Sequence, residues 1–388
     1  MDHTELLIVG AGPYGLAAGA YAKSAGVDVT VVGRPLDLWK TGMPRGMFLR
    51  SGPDWHLDAR EVATFEAYVN ERRLTGDETK PMRLETFLDY VGWFMGQYNL
   101  APQNKYVTHL ARSRGGYLAT MDDGSRLFAD SVLLALGFAF FKHYPRDIVE
   151  KLPPRSYSHT SDTVDFDFYR NKRVLIVGGR QSAYEWAALI REHGSEQVHL
   201  THRHAQPRFI EPDWSWVQPM VRQTLIDHGW WRELAAEEQQ RIRDAFWATG
   251  RLVLEAWLDR RVHQPNIHVH ANTNVASVDQ QRDGTYDVAL DDGSHCNVHS
   301  IILATGYRPI MDKVGFLDRA TILDSLATVN GFPALDPDFQ TSLPHLYVTG
   351  LAATQDFGPF FGFTVGCPVA AKIIGDAVVE SHVYPLVC

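Results

Sequence analysis

Residues 6–15 of this chain read LLIVGAGPYG, an apolar run followed directly by the pattern Gly-x-Gly-x-x-Gly. The apolar run predicts a buried strand, and the glycines after it predict a tight turn into a helix. Gly10 allows the turn, Gly12 lets the backbone approach a pyrophosphate, and Gly15 lets the helix pack on the strand. The expected pyrophosphate contacts are Gly10, Gly12, Pro13, Tyr14 and Gly15.

A second turn of this kind lies in residues 174–183, which read VLIVGGRQSA, with Gly178 placed 168 positions after Gly10. Arg180 stands where the middle glycine is expected, so a similar domain without a nucleotide stays an alternative. Arg203 follows the next predicted strand, where a guanidinium can pair with a 2′-phosphate, which favours NADPH over NADH; a plain surface charge is the alternative. The expected coenzyme contacts are Gly178, Arg180, Gln181, Ser182 and Arg203.

Two such turns indicate two dinucleotides held face to face, as in a flavoenzyme that a nicotinamide coenzyme reduces. Alternating strand and helix patterns predict an α/β fold with two Rossmann-like domains built on doubly wound parallel sheets. We expect an FAD domain over 1–165 and 304–388, with an NAD(P)H domain over 166–303 inserted in it. Residues 213–262 look helical and hold six of the ten tryptophans, which suits an insert that covers the substrate.

Composition narrows the function classes. The net charge is −9 and no compact basic patch is visible, so neither nucleic acid nor an anionic membrane is an expected partner. No apolar run reaches the roughly 18 residues of a membrane span, and no signal peptide or metal-ligand spacing is evident. The cysteines are few and none forms Cys-x-x-Cys, which disfavours a dithiol relay and fits a reducing compartment. We therefore expect a cytoplasmic protein.

A third motif completes the pattern: residues 303–309, LATGYRP, end a predicted strand, and residues 134–137, LALG, echo it. With these motifs the chain resembles the two-dinucleotide-binding flavoproteins, and among them the class B monooxygenases, which include flavin-containing, N-hydroxylating and Baeyer–Villiger enzymes. The resemblance spans nearly the whole chain. Its motifs are specific for cofactors and say little about the substrate.

The resemblance implies FAD and NADPH as cofactors, with O2 and a small organic molecule as substrates. NADPH reduces FAD, a C4a-(hydro)peroxyflavin forms, and one oxygen atom passes to the substrate. Retained NADP⁺ and a dry pocket protect that species. A reductase that passes electrons to an acceptor without oxygen transfer is the alternative, and a non-catalytic nucleotide sensor is a third reading. Flavoproteins of this size often form homodimers.

Three departures from the family pattern bear on the site. The acidic residue expected after the second strand is absent, because Gly33 stands there, and Asp37 is the candidate to hold the ribose instead. Leu351 follows Gly350 where the wider family has Gly-Asp, so backbone amides of the turn after it are expected near the flavin ring. Of the Baeyer–Villiger linker motif only His159 matches, which favours heteroatom hydroxylation.

The resemblance also suggests site residues. The loop 47–56, MFLRSGPDWH, corresponds to a segment that passes the flavin ring, so Arg50, Asp54 and His56 are candidate catalytic residues; a solvated turn is the alternative. Candidate substrate contacts are Trp214, Trp216 and Trp230, for which helix packing is the alternative. The further expected cofactor contacts are Trp39, Arg50, Ser51, Val107, Thr305, Gly306, Gly350 and Phe360.

Overall fold

A computed structural model describes residues 2–52 and 54–383, so Pro53 and Cys388 lie outside the described part of the chain. In chain order its strands are β1 Asp2–Val9, β2 Val29–Val32, β3 Phe48–Leu49, β4 Met82–Arg83, β5 Val107–Ser113, β6 Gly116–Met121, β7 Arg126–Leu134, β8 Tyr157–His159, β9 Arg173–Val177, β10 Gln197–His202, β11 Arg208–Phe209, β12 Val253–Leu254, β13 Ile267–Ala271, β14 Val275–Gln280, β15 Tyr286–Leu290, β16 His295–Val298, β17 Ser300–Leu303, β18 Thr328–Val329, β19 Phe332–Pro333 and β20 Leu346–Val348.

The α-helices are α1 Pro13–Ser24, α2 Asp37–Thr41, α3 Phe65–Arg72, α4 Gly76–Thr79, α5 Leu84–Gln97, α6 Arg146–Val149, α7 Gln181–Glu192, α8 Val217–Ile226, α9 Trp230–Glu233, α10 Ala236–Arg251, α11 Asp259–Val262, α12 Thr354–Phe357 and α13 Cys367–Val383. Short 3-10 helices lie at Phe166–Tyr169, Ala256–Leu258, Met311–Lys313, Leu323–Ser325, Gly350–Ala353, Pro359–Gly362 and Thr364–Gly366. Within residues 2–52 and 54–383, no helix is both long and apolar enough to cross a membrane.

The first sheet has the order β2-β1-β7-β6-β5, and β20 pairs with the end of β7. Leu6, Leu7 and Ile8 of β1 are fully buried because helices or loops cover both faces of this parallel region. Strands β5, β6 and β7 run antiparallel, as the turns at Gly115 and Gly124 predict. Since β20 joins β7 in parallel, a late segment of the chain returns to the sheet that the N-terminus begins.

The second sheet has the order β13-β10-β9-β17-β8, and all of its neighbouring pairs are parallel. Beside it, β14, β15 and β16 form an antiparallel sheet whose turn includes the predicted Asp291-Asp292-Gly293. The expected α/β fold with parallel, Rossmann-like sheets is therefore confirmed. The strand Tyr157–His159 hydrogen-bonds to the second sheet, although a domain limit at residue 165 would leave it with the first.

The region 213–262 is largely helical, as predicted, and it packs against the hydrophobic cores of both sheets. Its buried residues Val217, Trp231 and Phe246 belong to the same hydrophobic core as β1 and β7. Leu254 and Leu258, further along the same segment, belong to the core of the second sheet. The insert therefore leaves the second sheet, packs on the first domain and returns, so it bridges the two.

Candidate active site

In the first glycine turn Gly10 and Gly15 are closely packed, whereas the space beside Gly12 is open. Gly10 has φ +116°, and a Cβ there would lie 2.3 Å from the carbonyl oxygen of Ala135. A Cβ at Gly15 would lie 1.9 Å from the carbonyl oxygen of Gly10, whereas nothing lies within 4 Å of a Cβ at Gly12. Gly12 caps α1 without a side-chain hydrogen bond, so the first N–H groups of this helix face open space that suits a phosphate.

Tyr14 joins this turn to the turn before α13. Its hydroxyl lies 2.6 Å from the carbonyl oxygen of Phe361 and 2.8 Å from that of Phe363. Gly350 has φ +74°, and a Cβ there would lie 3.5 Å from the Tyr14 ring. Pro13 is buried in the first turn of α1. The structure thus brings together Tyr14 and Gly350, which the sequence placed in one cofactor site.

The second glycine turn differs from the first at its middle position, which Arg180 occupies. Gly178 has φ +151°, and a Cβ there would lie 2.6 Å from the carbonyl oxygen of Ala304. Arg180 caps α7 in extended conformation, and its guanidinium carbon lies 3.5 Å from the centroid of the Trp247 ring on α10. The residue that replaces the expected glycine is therefore directed at the insert, in a cation–π contact.

The next two predicted residues, in the first turn of α7, have different surroundings. The Oε1 atom of Gln181 accepts a hydrogen bond of 3.2 Å from the Glu255 backbone N–H. The Nε2 atom of Gln181 is buried and has no hydrogen-bond partner within the described part of the chain. Ser182 is exposed. The start of α7 is thus attached to the insert through Gln181 and open to solvent at Ser182.

The end of β10 forms a basic corner beside this turn. Arg203 is exposed, and the rings of His202 and His204 on either side of it stack at 4.3 Å. Burial lowers the pKa of His202 to about 4, and its Nε2 atom accepts a hydrogen bond from the Tyr184 hydroxyl. A Cβ at Gly179 would lie 2.6 Å from the His204 Nε2 atom. Because His202 is neutral at pH 7, Arg203 carries the permanent charge at this corner.

Thr305 and Gly306 lie where the chain crosses from the second sheet back to the first. The Thr305 hydroxyl donates to the carbonyl oxygen of His143, at 2.5 Å. The carbonyl oxygen of Gly306 accepts from the His143 N–H and from His159 Nε2, both at 3.0 Å. His159 is fully buried, and burial lowers its pKa. The His159 ring therefore connects two crossing segments of the chain.

Arg50, predicted near the reacting ring, is directed at the insert instead. Its Nε atom donates to Glu255 Oε1 at 3.0 Å, and its two terminal nitrogens donate to the carbonyl oxygens of Gly250 and Val253. Its side chain is 17% exposed. A sequence reading could not detect these partners, because they lie two hundred positions away. The guanidinium holds the end of α10 and β12, and its roles as a catalytic group and a cofactor contact stay predictions.

Asp54 and His56 line a cleft between the loop that carries them, α8 and the start of α13. Arg222 of α8 and Lys372 of α13 line the same cleft, so both signs of charge face it. Asp54 is exposed, whereas His56 is half-buried and burial lowers its pKa. Asp54 and His56 are thus together in a polar cleft, beside an apolar wall.

Ser51 lies at the inner end of the same loop. Its Oγ atom is 3.3 Å from the Oγ1 atom of Thr364, in the 3-10 helix that leads into α13. Trp55, four positions later, is 3% exposed and packs edge-on against Trp214 at 5.8 Å. The loop therefore joins the start of α13 to the insert.

The predicted substrate tryptophans belong to one aromatic cluster between the insert and the turn before α13. Phe246 lies at its centre, with ring centroids 5.6 Å from Trp214, 6.2 Å from Trp216 and 6.0 Å from Phe360. Trp230 stacks on Phe360 at 6.3 Å. We name this cluster the aromatic cover; its members are Trp55, Trp214, Trp216, Trp230, Trp231, Phe246, Phe360 and Phe363.

The rings of the aromatic cover pack on one another, and a role of its tryptophans in contacting the substrate stays a prediction. Phe360 is fully buried within the aromatic cover, so its ring packs against the other rings of the cover. The indole N–H of Trp230 donates to the Thr224 hydroxyl at 2.9 Å. The indole Nε1 of Trp214 is buried and has no hydrogen-bond partner among residues 2–52 and 54–383. The indole N–H of Trp214 is thus a buried donor of the cover that no described residue satisfies.

The remaining predicted contacts lie around α2 and the start of β5. Trp39 packs on Phe87, with ring centroids 4.6 Å apart. Val107 begins β5 and is buried, and the residue before it, Tyr106, donates a hydrogen bond of 2.5 Å to Asp37 Oδ2. The sequence does not predict that Tyr106 bonds to Asp37, because the two residues lie 69 positions apart.

Comparison with known proteins places this geometry in a family. The family model described as pyridine nucleotide-disulphide oxidoreductase matches residues 7–245, and a second model with the same description matches residues 247–359. The ferredoxin–NADP reductase of Thermus thermophilus is 29% identical over 215 residues, which cover 54% of this chain and 56% of that protein. The matched part therefore spans about half the length of this relative.

Two further likenesses cover nearly the whole chain. The thioredoxin reductase of Escherichia coli O157:H7 is 24% identical over 355 residues, which cover 90% of this chain and 88% of that protein. The solved structure of the ornithine N-hydroxylase from Kutzneria sp. 744, with reduced FAD, NADP⁺ and L-ornithine, superposes with a TM-score of 0.79 at 16% identity. It covers 98% of this chain and 100% of that one, and at this identity it shows a shared fold.

Proposed function

This chain belongs to the pyridine nucleotide-disulphide oxidoreductase family, and on this premise we propose that it is an FAD-dependent monooxygenase that consumes NADPH. It transfers one atom of O2 to a small organic substrate, by heteroatom hydroxylation or by insertion of the Baeyer–Villiger type. When bound, FAD supplies the redox chemistry with O2. The residues of the chain bind it, orient it and exclude water from it.

The first glycine turn fits the pyrophosphate of FAD. The open space at Gly12 and the uncapped N-terminus of α1 supply N–H donors and a favourable dipole, while Gly10 and Gly15 are packed too closely for any side chain. Ser51 and Gly350 flank the path from this turn toward α13. These contacts support FAD in the first domain.

The second turn fits NADPH. The N-terminus of α7 offers N–H groups to the pyrophosphate, and the exposed Arg203 offers a permanent positive charge to a 2′-phosphate. Arg180 adds a second guanidinium at the same turn.

The cytoplasmic location and the homodimer stay predictions from composition and size.

The aromatic cover is the observation that carries the oxygen-transfer proposal. Phe246, Trp231 and Phe360 are at most 4% exposed, so water is displaced from the region between the insert and the turn before α13. Oxygen transfer requires such a dry region, whereas electron transfer to an outside acceptor requires none. The fold shared with an ornithine N-hydroxylase over 98% of this chain supports the same choice. Asp54 and His56 are the polar groups we propose beside the substrate.

Electron transfer without oxygen transfer is the second candidate function, which the identity with a ferredoxin–NADP reductase favours. The chain contains no Cys-x-x-Cys, and the described cysteines Cys296 and Cys367 are both buried. The described part of the chain therefore lacks the cysteine pair that a dithiol relay of the thioredoxin reductase kind needs. A reductase of this sequence would pass its electrons to a quinone or to a protein acceptor.

A single reoxidation experiment separates the two functions. The flavin-loaded protein is reduced by NADPH without oxygen and then mixed with oxygenated buffer in the absence of substrate. We expect the absorbance of oxidised flavin to return only after seconds or longer, together with a delayed release of hydrogen peroxide. Immediate return with immediate peroxide would reject the monooxygenase and support the reductase.

A further inference from the structure

Arg243 of α10 holds its charged group against the aromatic cover. Its guanidinium carbon lies 5.1 Å from the centroid of the Trp231 ring. Trp231 is 1% exposed and packs edge-on against Phe360, with ring centroids 5.7 Å apart. Arg243 itself is half-buried. A permanent positive charge therefore lies at the margin of the region from which the cover displaces water.

Two carboxylates of the same helix have other partners. Glu238 pairs with Arg241 at 2.5 Å, and Asp244 accepts a hydrogen bond of 2.8 Å from the Gln240 amide. Burial lowers the pKa of Arg243, whereas a facing carboxylate would raise it. Within the residues that the structure describes, Arg243 makes no hydrogen bond or ion pair. Its charge is therefore partly desolvated, and no described side chain neutralises it.

The position of Arg243 on α10 also relates it to the coenzyme turn. Trp247 follows one helical turn later, so the two side chains lie on one face of the helix. Trp247 contacts Arg180, whose guanidinium carbon lies 3.5 Å from the centroid of the indole ring. Arg180 belongs to the second glycine turn. This face of α10 therefore extends from the second glycine turn to the aromatic cover, and Arg243 lies at its end beside the cover.

The contact with Trp231 leaves the hydrogen-bonding capacity of Arg243 for another group. A cation–π contact attracts the charge as a whole and requires none of the five N–H groups as a hydrogen-bond donor. The guanidinium presents these donors as a fixed planar fork, which matches the two oxygens of a carboxylate. A carboxylate bound there would supply the acceptors and the countercharge that burial makes necessary. An amide of the same shape offers one acceptor oxygen and no charge.

We propose that Arg243 binds the carboxylate of an organic acid whose apolar body lies against the aromatic cover, and that it thereby determines the substrate class. The fork selects a planar anion, and the rings of Trp231 and Phe360 select an apolar body beside it. The carboxylate orients the substrate and is not itself oxidised. This inference rests on the proposed function in placing the substrate at the aromatic cover.

The test compares carboxylates with amides of the same shape. Benzoate, phenylacetate and 2-naphthoate, and the amide of each, are titrated by calorimetry into the full-length protein loaded with oxidised FAD, without coenzyme. We expect a carboxylate of this series to bind, and its amide to bind about tenfold more weakly, because the amide lacks the charge and one acceptor.

Variants of two arginines on one helix assign this preference to Arg243. Arg243→Met keeps an apolar stem of similar length, and we expect it to bind carboxylate and amide alike. Arg243→Lys keeps the charge without the fork and should retain part of the preference. Arg241→Met, the same change at an exposed arginine of α10, should keep the wild-type preference. If Arg243 served only to pack on Trp231, Arg243→Met would change the unfolding temperature and leave the preference intact.

The binding measurement can also reject the proposal in the wild type. Failure of every carboxylate in the series to bind would overturn it, as would equal binding of carboxylate and amide. Because the titration uses neither NADPH nor the reaction with O2, its result does not depend on the rate of flavin reoxidation. If reoxidation rejected the monooxygenase while carboxylates still bound through Arg243, the proposed function alone would fail.

Discussion

At the scale of single residues, Arg50 connects its loop to the insert through Glu255 and two backbone carbonyl oxygens. We expect Arg50→Met to lower the free energy of unfolding by about 3 kcal/mol, because Glu255 would keep its buried carboxylate without a partner. Burial already raises the pKa of Glu255 despite the opposing charge of Arg50. Urea unfolding measures the loss, and the double variant Arg50→Met, Glu255→Gln should recover part of it. Equal free energies of unfolding for the single and the double variant would contradict this role of Arg50.

Glu185 gives a second residue-scale prediction, on pH dependence. It is fully buried on α7, its Oε1 atom accepts from the Phe48 N–H at 2.8 Å, and burial raises its pKa to about 8. The folded protein therefore binds a proton that the unfolded chain releases above its ordinary pKa of 4.5. Stability contributed by this proton is present below pH 4.5 and is lost as the pH rises toward 8.

The variant Glu185→Gln removes that titration. We expect its unfolding temperature to fall less than that of the wild type between pH 5 and pH 8, since the wild type loses at most about 1.4 kcal/mol per pH unit. Thermal unfolding followed by circular dichroism at several pH values measures the difference. Glu71→Gln, at an exposed position of α3, should keep the wild-type slope. A wild-type slope in Glu185→Gln as well would mean that Glu185 is ionised in the fold.

At the scale of elements, the start of α7 offers a prediction that separates two arginines. Arg180 lies at the turn itself and Arg203 at the end of β10, so we expect them to meet different phosphates. Arg180→Met should weaken NADPH and NADH alike, by about tenfold, because both coenzymes carry the pyrophosphate. Arg203→Met should weaken NADPH alone. Kd values for both coenzymes, from flavin-loaded protein without oxygen, measure these effects.

The arrangement of Arg180 on Trp247 adds a control to this prediction. Trp247→Phe keeps an aromatic ring under the guanidinium and should leave the ratio of the two coenzyme affinities unchanged. If Arg203→Met weakened NADH as much as NADPH, the basic corner at β10 would not be a 2′-phosphate site. If Arg180→Met changed neither affinity, its guanidinium would serve only the packing of α10.

Elements differ in how well the sequence predicts them, and the reason is the distance between partners. The turns at Gly124 and Gly293 predict their hairpins because the partner strands are adjacent in the chain. The strand Tyr157–His159 pairs with β17, which lies more than a hundred positions away, so local patterns do not predict its place in the second sheet. The same limit hid the partners of Arg50, whereas Gly10 and Gly15 have local causes that the motif contains.

At the scale of the whole molecule, the insert connects the two dinucleotide units. Arg50 and Gln181, one from each unit, both bond to the segment 250–255. The aromatic cover then closes the insert onto the turn before α13. The many tryptophans of the insert predict an aromatic region, but only the fold shows that Trp214 and Trp216 pack on Phe246 while Trp230 and Trp231 pack on Phe360.

A substitution at Phe246 tests whether the aromatic cover excludes water. Phe246→Leu keeps an apolar side chain yet removes ring contacts with Trp214, Phe360 and Phe363, so water should enter the region that the cover keeps dry. We expect more hydrogen peroxide per NADPH consumed and a faster return of oxidised flavin after mixing with oxygen. We also expect a loss of about 1 kcal/mol in stability, which is small enough for the fold to survive.

The matched control is Phe168→Leu, the same change at a ring that is 55% exposed and lies outside the aromatic cover. It should leave both the peroxide yield and the reoxidation rate at their wild-type values. Since both variants lose one aromatic ring, a difference between them shows that the effect depends on the position of the ring in the aromatic cover. If the two variants behaved alike, the cover would be a structural joint between insert and first domain, and the dry region that oxygen transfer needs would have to lie elsewhere.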